Sequence, residues 1–159
     1  MRTTIKLICL LVLSTTWAFG QSKKEVKKNG IHSSLIQDIE NGKTLSNKKC
    51  EFDKNGETVT ETDYDKNGDL KTIVRYKYDK DGNVIEEEEY DAKTKLTNKK
   101  IYKYNGLGEK TEEDIVDGNG KTLKKHYYSY NHKGLKSEKK TVDVSGKVLC
   151  IRTYTYEYK

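Results

Sequence analysis

YKYDKDGNVIEEEEYD, residues 76–91, decides the reading of the fold. Tyr76 and Tyr78 precede Asp79, Lys80, Asp81 and Gly82, and an extended run, 83–90, ends in Tyr90 just before the next turn at Asp91. An Asp at the first turn position accepts hydrogen bonds from the turn's own backbone, and a Gly at the fourth takes positive φ without a Cβ clash. The pattern is that of a type I turn closed by a left-handed residue, the three-residue hairpin with a G1 bulge.

The same beat recurs on both sides. Glycines stand at 30, 42, 56, 68, 82, 108, 120, 134 and 146, and Thr94 holds the place of the missing one. With Thr94 counted, the spacings alternate between 12 and 14, so the repeat is 26 residues long. The turns 53–56, 65–68, 79–82, 105–108, 117–120, 131–134 and 143–146 each start on Asp or Asn and close on Gly. The turn 91–94 lacks the glycine and is expected to be the most strained or most irregular.

Between the turns lie extended runs at 31–38, 43–52, 57–64, 69–78, 83–90, 95–104, 109–116, 121–130, 135–142 and 147–158. The fold class is therefore all-β: an antiparallel up-and-down meander of about ten strands with a 26-residue repeat. A largely single-layer twisted sheet is the first expectation, and a curled or closed barrel is the alternative. The turn type sets Tyr64 opposite Leu70, Tyr78 opposite Val84 and Tyr90 opposite Leu96. Each such aromatic–aliphatic pair contributes roughly 0.2–1 kcal/mol.

Side-chain parity is expected to pass unchanged through the turns, so that eleven of the twelve tyrosines, all but Tyr127, share the even face. Two aromatic columns result: Tyr76, Tyr102, Tyr128 and Tyr154, and beside them Phe52, Tyr78, Tyr104, Tyr130 and Tyr156. The odd face holds a thinner aliphatic set, so neither face is the continuous apolar layer that a two-sheet sandwich needs. Short runs are acidic, as in Glu86 to Glu89, and long ones basic, as in Lys95, Lys99, Lys100 and Lys103. Cross-strand ion pairs follow, which specify register more than they stabilise. The run 135–142, with Lys136, Lys139 and Lys140, breaks this rule.

The first twenty residues read as a secretory signal peptide. Arg2 and Lys6 precede the apolar run 8–13, and Ala18 and Gly20 mark a cut after Gly20. Residues 21–29 read as a flexible basic lead-in, and 30–159 as the β-hairpin repeat domain. The chain is thus expected to be exported, secreted or periplasmic, with a cell-envelope association. Export permits disulfides, but Cys50 and Cys150 lie eight strand steps apart. In an open sheet that is ~38 Å at ~4.8 Å per step, too far for an intramolecular bond.

At YDKNGD (64–69) and YKYDKDGNV (76–84) the chain resembles the YD repeats of the RHS class of bacterial exported proteins, and MORN-type variants in secreted repeat proteins. The resemblance covers about 39–158. It departs where Asp69, Asn83 and Glu109 replace the Arg or Lys that often follows the glycine. It implies repeated β-hairpins on an exported protein, and it implies no catalytic residue.

The remaining motifs point to architecture. Asp79, Asp81 and Asn83 resemble the opening of an EF-hand loop, but Val84 and Tyr90 stand at its two most demanding positions. Glu86 to Glu89 alternate between faces of a strand, so they do not converge. His32, His126 and His132 have no metal-ligand spacing, and there is no nucleophile-elbow motif. The expectation is a non-enzyme without cofactor or metal. Acidic strands interrupt any positive groove for nucleic acid, and charges interrupt any lipid-facing band, so the chain is not expected to span a membrane after signal cleavage. The candidate binding residues are Tyr76, Tyr78, Tyr102, Tyr104, Tyr128, Tyr130, Tyr154 and Tyr156. The partner expected is a protein, or alternatively a glycan stacked on the tyrosine columns.

Overall fold

The structure is a computed structural model that describes residues 22–159. The signal-peptide reading of residues 1–20 lies outside the described residues. Ten strands follow one another in chain order: β1 (Ser33–Glu40), β2 (Lys43–Phe52), β3 (Thr58–Tyr64), β4 (Leu70–Tyr78), β5 (Val84–Asp91), β6 (Leu96–Tyr104), β7 (Lys110–Asp117), β8 (Thr122–Tyr130), β9 (Lys136–Asp143) and β10 (Val148–Thr153). They form one antiparallel sheet in the order of the sequence, and it does not close: β1 pairs with β2 alone and β10 with β9 alone. The open sheet is therefore the architecture, and the closed barrel is not. Cys50 on β2 and Cys150 on β10 are both free thiols.

The turns have the chemistry that their sequence predicts. In the turn after β3, Gly68 has φ 88° and its N–H donates to the Asp65 carbonyl at 3.0 Å. Asp65 Oδ1 accepts from the Asn67 and Asp69 N–H groups at 2.8 and 3.0 Å. Asn105 and Asn131 make the same two bonds with their side-chain oxygens. Tyr64 pairs with Leu70, Tyr78 with Val84 and Tyr90 with Leu96, as the turn type requires. The β1–β2 hairpin differs: Asn41 and Gly42, both at positive φ, close a two-residue loop between Glu40 and Lys43. That is the Asn-Gly turn whose twist matches paired strands. Thr94 keeps the hydrogen bonds of the glycine turns but stands at φ 59°. Its turn is strained and not irregular.

The even-face expectation is corrected. Each turn carries a bulge, so Tyr78 pairs with Val84 but Lys77 pairs with Glu86 and Tyr76 with Glu87. The extra residue switches parity, because directly opposed residues share a face. One face therefore combines even positions of the long strands with odd positions of the short ones: Tyr76 pairs with Glu87, Tyr102 with Glu113 and Tyr128 with Lys139, while Glu87 pairs on its other side with Lys100 and Glu113 with His126. This is the tyrosine face. Tyr64, Tyr90 and Tyr127 fall on the other face.

A single layer buries little. Val26, Cys50, Gly56, Val116, His126, Tyr128 and Val142 are the buried residues among those described. On β4 and β6 the tyrosine-face positions are half-buried while Arg75, Lys77, Ile101 and Lys103 are exposed, so the tyrosine face is the better protected side.

The stretch expected to be a flexible lead-in instead contains a short helix, α1 (Lys23–Asn29). Ser22 and Glu25 form a reciprocal capping box, and Gly30 ends the helix in the left-handed region. Val26, 2% exposed, is the apolar residue that seats it. The helix packs so closely on the β2–β3 turn that a Cβ on Gly56 would stand 2.5 Å from the Lys23 carbonyl oxygen. Periodicity missed this element because one apolar residue in two turns makes no stripe.

Candidate functional site

The tyrosine face is built from side chains that recur every 26 residues. In the column nearer the turns, each hydroxyl donates to a main-chain carbonyl twenty residues back, on the partner strand. Tyr78 reaches Thr58 O at 2.7 Å, Tyr104 reaches Val84 O at 2.8 Å, Tyr130 reaches Lys110 O at 2.9 Å and Tyr156 reaches Lys136 O at 2.7 Å. The first three tie a short strand to the long strand that follows it, and Tyr156, just past the end of β10, ties the chain there to β9. Phe52 holds the equivalent place at the start of the sheet without a hydroxyl.

In the second column the partners are carboxylates fifteen residues back. Tyr102 donates to Glu87 Oε2 at 2.9 Å, and Tyr128 donates to Glu113 Oε2. Lys100 bonds the other Glu87 oxygen, and Lys110 bonds Glu113 at 2.9 Å. The Lys110 ammonium also lies 4.6 Å from the Tyr102 ring centre and 4.9 Å from that of Tyr128, which links two repeats by cation–π contact. Burial, then the charge of Glu87, pushes the Tyr102 phenol far up; burial, then the hydrogen bond to Glu113, does the same for Tyr128. Burial opposes ionisation of Glu113, but the bonds from Tyr128 and Lys110 outweigh it and keep the carboxyl below its usual range. Both phenols therefore stay neutral hydrogen-bond donors at ordinary pH.

The structure thus brings Tyr76, Tyr78, Tyr102, Tyr104, Tyr128 and Tyr130 together on one face, with Tyr154 joined to it by its N–H to the Ser137 carbonyl at 3.0 Å and Tyr156 by its hydroxyl to the Lys136 carbonyl. Glu61, Glu87, Glu113 and Lys110 belong to the same surface but were not singled out from the sequence. Their signal was readable: three glutamates, 26 residues apart, each fifteen residues before a tyrosine of the column.

Near the first repeats α1 turns this face into a depression of about 990 Å³. Tyr76 and Tyr78 line it together with Val59 and Ile85, and Lys27, Asn55, Asp81 and Lys80 stand among its polar residues. Lys23 pairs with Glu57 at the same place.

On the opposite face acidic short strands answer basic long ones. Glu86 accepts from Lys77 and, at 2.8 Å, from Lys99; Lys99 also reaches Glu88 at 3.1 Å. Lys125 bridges Glu112 and Asp114 at 3.2 and 2.8 Å. The glutamates 86–89 therefore divide between the faces as strand geometry dictates. β9, which broke the charge rule, finds another solution. Lys136 and Lys139 lie 4.8 and 5.5 Å from the Tyr128 ring centre, and Lys140 lies 5.7 Å from that of Tyr127. Asp79 is a turn residue, since its Oδ1 accepts from the N–H groups of Asp81 and Asn83, each at 2.9 Å. His126 is buried with Nδ1 2.9 Å from Thr141 Oγ1, and burial followed by Lys139 depresses its pKa.

No family model matches the chain, and no curated protein matches it in sequence. Among solved structures it is similar to a protein of unknown function from Bacteroides fragilis, at 13% identity and TM-score 0.42, over 80% of this chain and 95% of that one. Two DUF3836 family proteins are also similar, each at 15% identity. The one from Parabacteroides distasonis has TM-score 0.25 over 71% of this chain and 91% of its own. The one from Bacteroides vulgatus has TM-score 0.24 over 70% and 99%. No described helix is long and apolar enough to cross a membrane.

Proposed function

We propose that the chain is a non-enzymatic exported repeat protein, of the YD-repeat or MORN-type kind, whose tyrosine face presents a surface to protein or cell-envelope partners. The observation that supports this is the recurrence of one unit, a tyrosine hydroxyl on a glutamate that also holds a lysine, in consecutive repeats. Such a unit is rigid before any partner arrives, so little side-chain entropy is lost on contact. The test is site-specific photo-crosslinking in the cell-envelope fraction. A benzophenone side chain at Tyr76 or Tyr154 is expected to capture a partner, and one at Ile101 or Leu123, exposed on the opposite face, is not. Equal capture from both faces, or none from the tyrosine face, contradicts the assignment.

The depression beside α1 favours a second reading, carbohydrate binding. Neighbouring aromatic side chains ringed by carboxylates, an amide and lysines are the groups that stack on and hydrogen-bond a sugar. Glycan-array binding that is lost in Tyr76→Ala, with the fold retained by circular dichroism, supports it. Silence of the intact protein across the array removes it.

A further inference from the structure

The two outermost strands are the least protected part of the sheet. Each pairs on one side alone among the described residues, leaving a row of backbone N–H and C=O groups without a ladder partner. β1 exposes Leu35, Ile36 and Ile39 at 60, 39 and 62%, and β10 exposes Val148, Leu149 and Ile151 at 48, 55 and 54%. Sheets normally blunt such edges with lysine, proline or a bulge that turns the strand away. β10, VLCIRT, carries Arg152 as its one charge and a bulge only beside its turn, between Val148 and Cys150, and the chain contains no proline.

What fits each edge follows from the strand alternation. Inside the sheet, β9 apart, a short acidic strand lies between long basic ones. β1 is of the short kind, with Asp38 and Glu40 and no lysine or arginine, and its inner neighbour β2 is the long strand with Lys43, Lys48 and Lys49. β10 stands at the place of a long strand, following short β9, with Arg152 in it and Lys147 just before it. β1 thus lacks a basic strand on its outer side, and β10 lacks an acidic one. The strand number is even, so β1 and β10 run in opposite directions. A second copy displaced along the sheet, with the same face outward, lays its β1 antiparallel beside β10.

We propose that the chain assembles with itself head to tail, β10 of one copy pairing with β1 of the next. Pairing β10 with β10, or β1 with β1, is also antiparallel but sets like-charged strands side by side, which destabilises a pair. The contact is heterologous, so it extends into a filament unless the sheet's twist closes it into a ring. One short strand pair is a small interface, so assembly is weak and depends on concentration. This surface is separate from the tyrosine face, and its test does not depend on the function proposed there.

The test is sedimentation velocity over a concentration series with two edge-blocked chains. One carries Leu149→Lys and Ile151→Lys, the other Leu35→Lys and Ile36→Lys, all at exposed sites. Unsubstituted protein is expected to grow in mass with concentration, each blocked chain to stay monomeric, and their mixture to stop at a one-to-one dimer. A monomeric unsubstituted protein overturns the proposal, as does self-association of either blocked chain. A second measurement keeps every residue of both edge strands and adds a label at one of them. Pyrene attached at exposed Cys150, in a chain with Cys9→Ser, shows no excimer in a head-to-tail assembly, because the labels are ten strands apart, ~48 Å at ~4.8 Å per strand. Excimer emission from the oligomer assigns it to β10–β10 contact and overturns the proposal.

Discussion

Replacing Thr94 by glycine is expected to stabilise the protein, although it removes a side chain and adds none. Thr94 occupies φ 59° in a turn whose counterparts at 56, 68, 82, 108, 120, 134 and 146 are all glycine. Left-handed backbone costs an L-residue about 1–2 kcal/mol, through the approach of Cβ to the following carbonyl. Against this, glycine gives the unfolded chain more freedom, worth about 0.5–1 kcal/mol. The bond from Thr94 Oγ1 to Lys93 O, 2.7 Å long, is also lost, but it lies in an exposed turn. The main-chain bonds from Thr94 N–H to Asp91 O and from Asp91 N–H to Lys95 O remain. The net gain is about 0.5–1 kcal/mol, which raises the unfolding midpoint by about 2–3 °C in a domain of this size. Urea denaturation and differential scanning calorimetry measure it. The reciprocal change Gly108→Thr, at φ 77° with open space around the new Cβ, should cost about as much as Thr94→Gly gains. Loss of stability in Thr94→Gly, or no cost in Gly108→Thr, refutes the reasoning.

Other consequences follow from single side chains. Tyr104→Phe removes a half-buried bond to Val84 O and should lower stability by about 1 kcal/mol in urea unfolding, with the sheet's far-ultraviolet spectrum unchanged. Of the two described thiols, Cys150 should react at once with a maleimide or Ellman's reagent, and Cys50 on unfolding alone. Cys50 is fully buried, and burial followed by the charge of Glu61 pushes its pKa up to about 12. The turn carboxylates Asp65 and Asp79 titrate below their ordinary range, Asp65 through the Asp69 and Asn67 N–H groups and Asp79 through the Asn83 side chain and backbone. Their folded pKa is depressed. The stability they contribute is therefore present above the unfolded value of about 3.9 and is lost as pH falls through the folded one. Asp65→Asn, which retains both bonds as Asn105 and Asn131 do, should remove its share of the acid sensitivity in urea unfolding at pH 7 and pH 3.

Much of this architecture was legible because it rests on local chemistry. An Asp or Asn that accepts two backbone bonds, followed by a residue at positive φ, defines a turn without help from distant contacts. Eight such turns among ten extended runs in sequence order leave a meander as the simplest connection. The faces were not legible from parity, since the bulged residue beside each turn, such as Ile85 between Val84 and Glu86, shifts the register by one. That one shift moves Tyr64 and Tyr90 to the side opposite Tyr76 and Tyr102. The helix α1 was hidden for a different reason. Its signal was the pair Ser22 and Glu25 ahead of Gly30, not hydrophobic periodicity. The excess lysines of β9 made no sense as ion pairs, because they answer the ring faces of Tyr127 and Tyr128 and not carboxylates. The tyrosine columns were readable as columns, whereas the destinations of their hydroxyls depend on strand register.

The open ten-stranded sheet is the central claim, and the span between its edge strands tests it most directly. Spin labels at Cys150 on β10 and at Ser34→Cys on β1, in a chain with Cys9→Ser diluted into unlabelled protein, allow double electron–electron resonance within one molecule. Nine strand steps at ~4.8 Å place the labels about 43 Å apart along the sheet, less whatever its twist takes up. A distribution centred at several tens of ångström is the result predicted. A distance under about 15 Å, the signature of β1 lying beside β10, would contradict the open sheet.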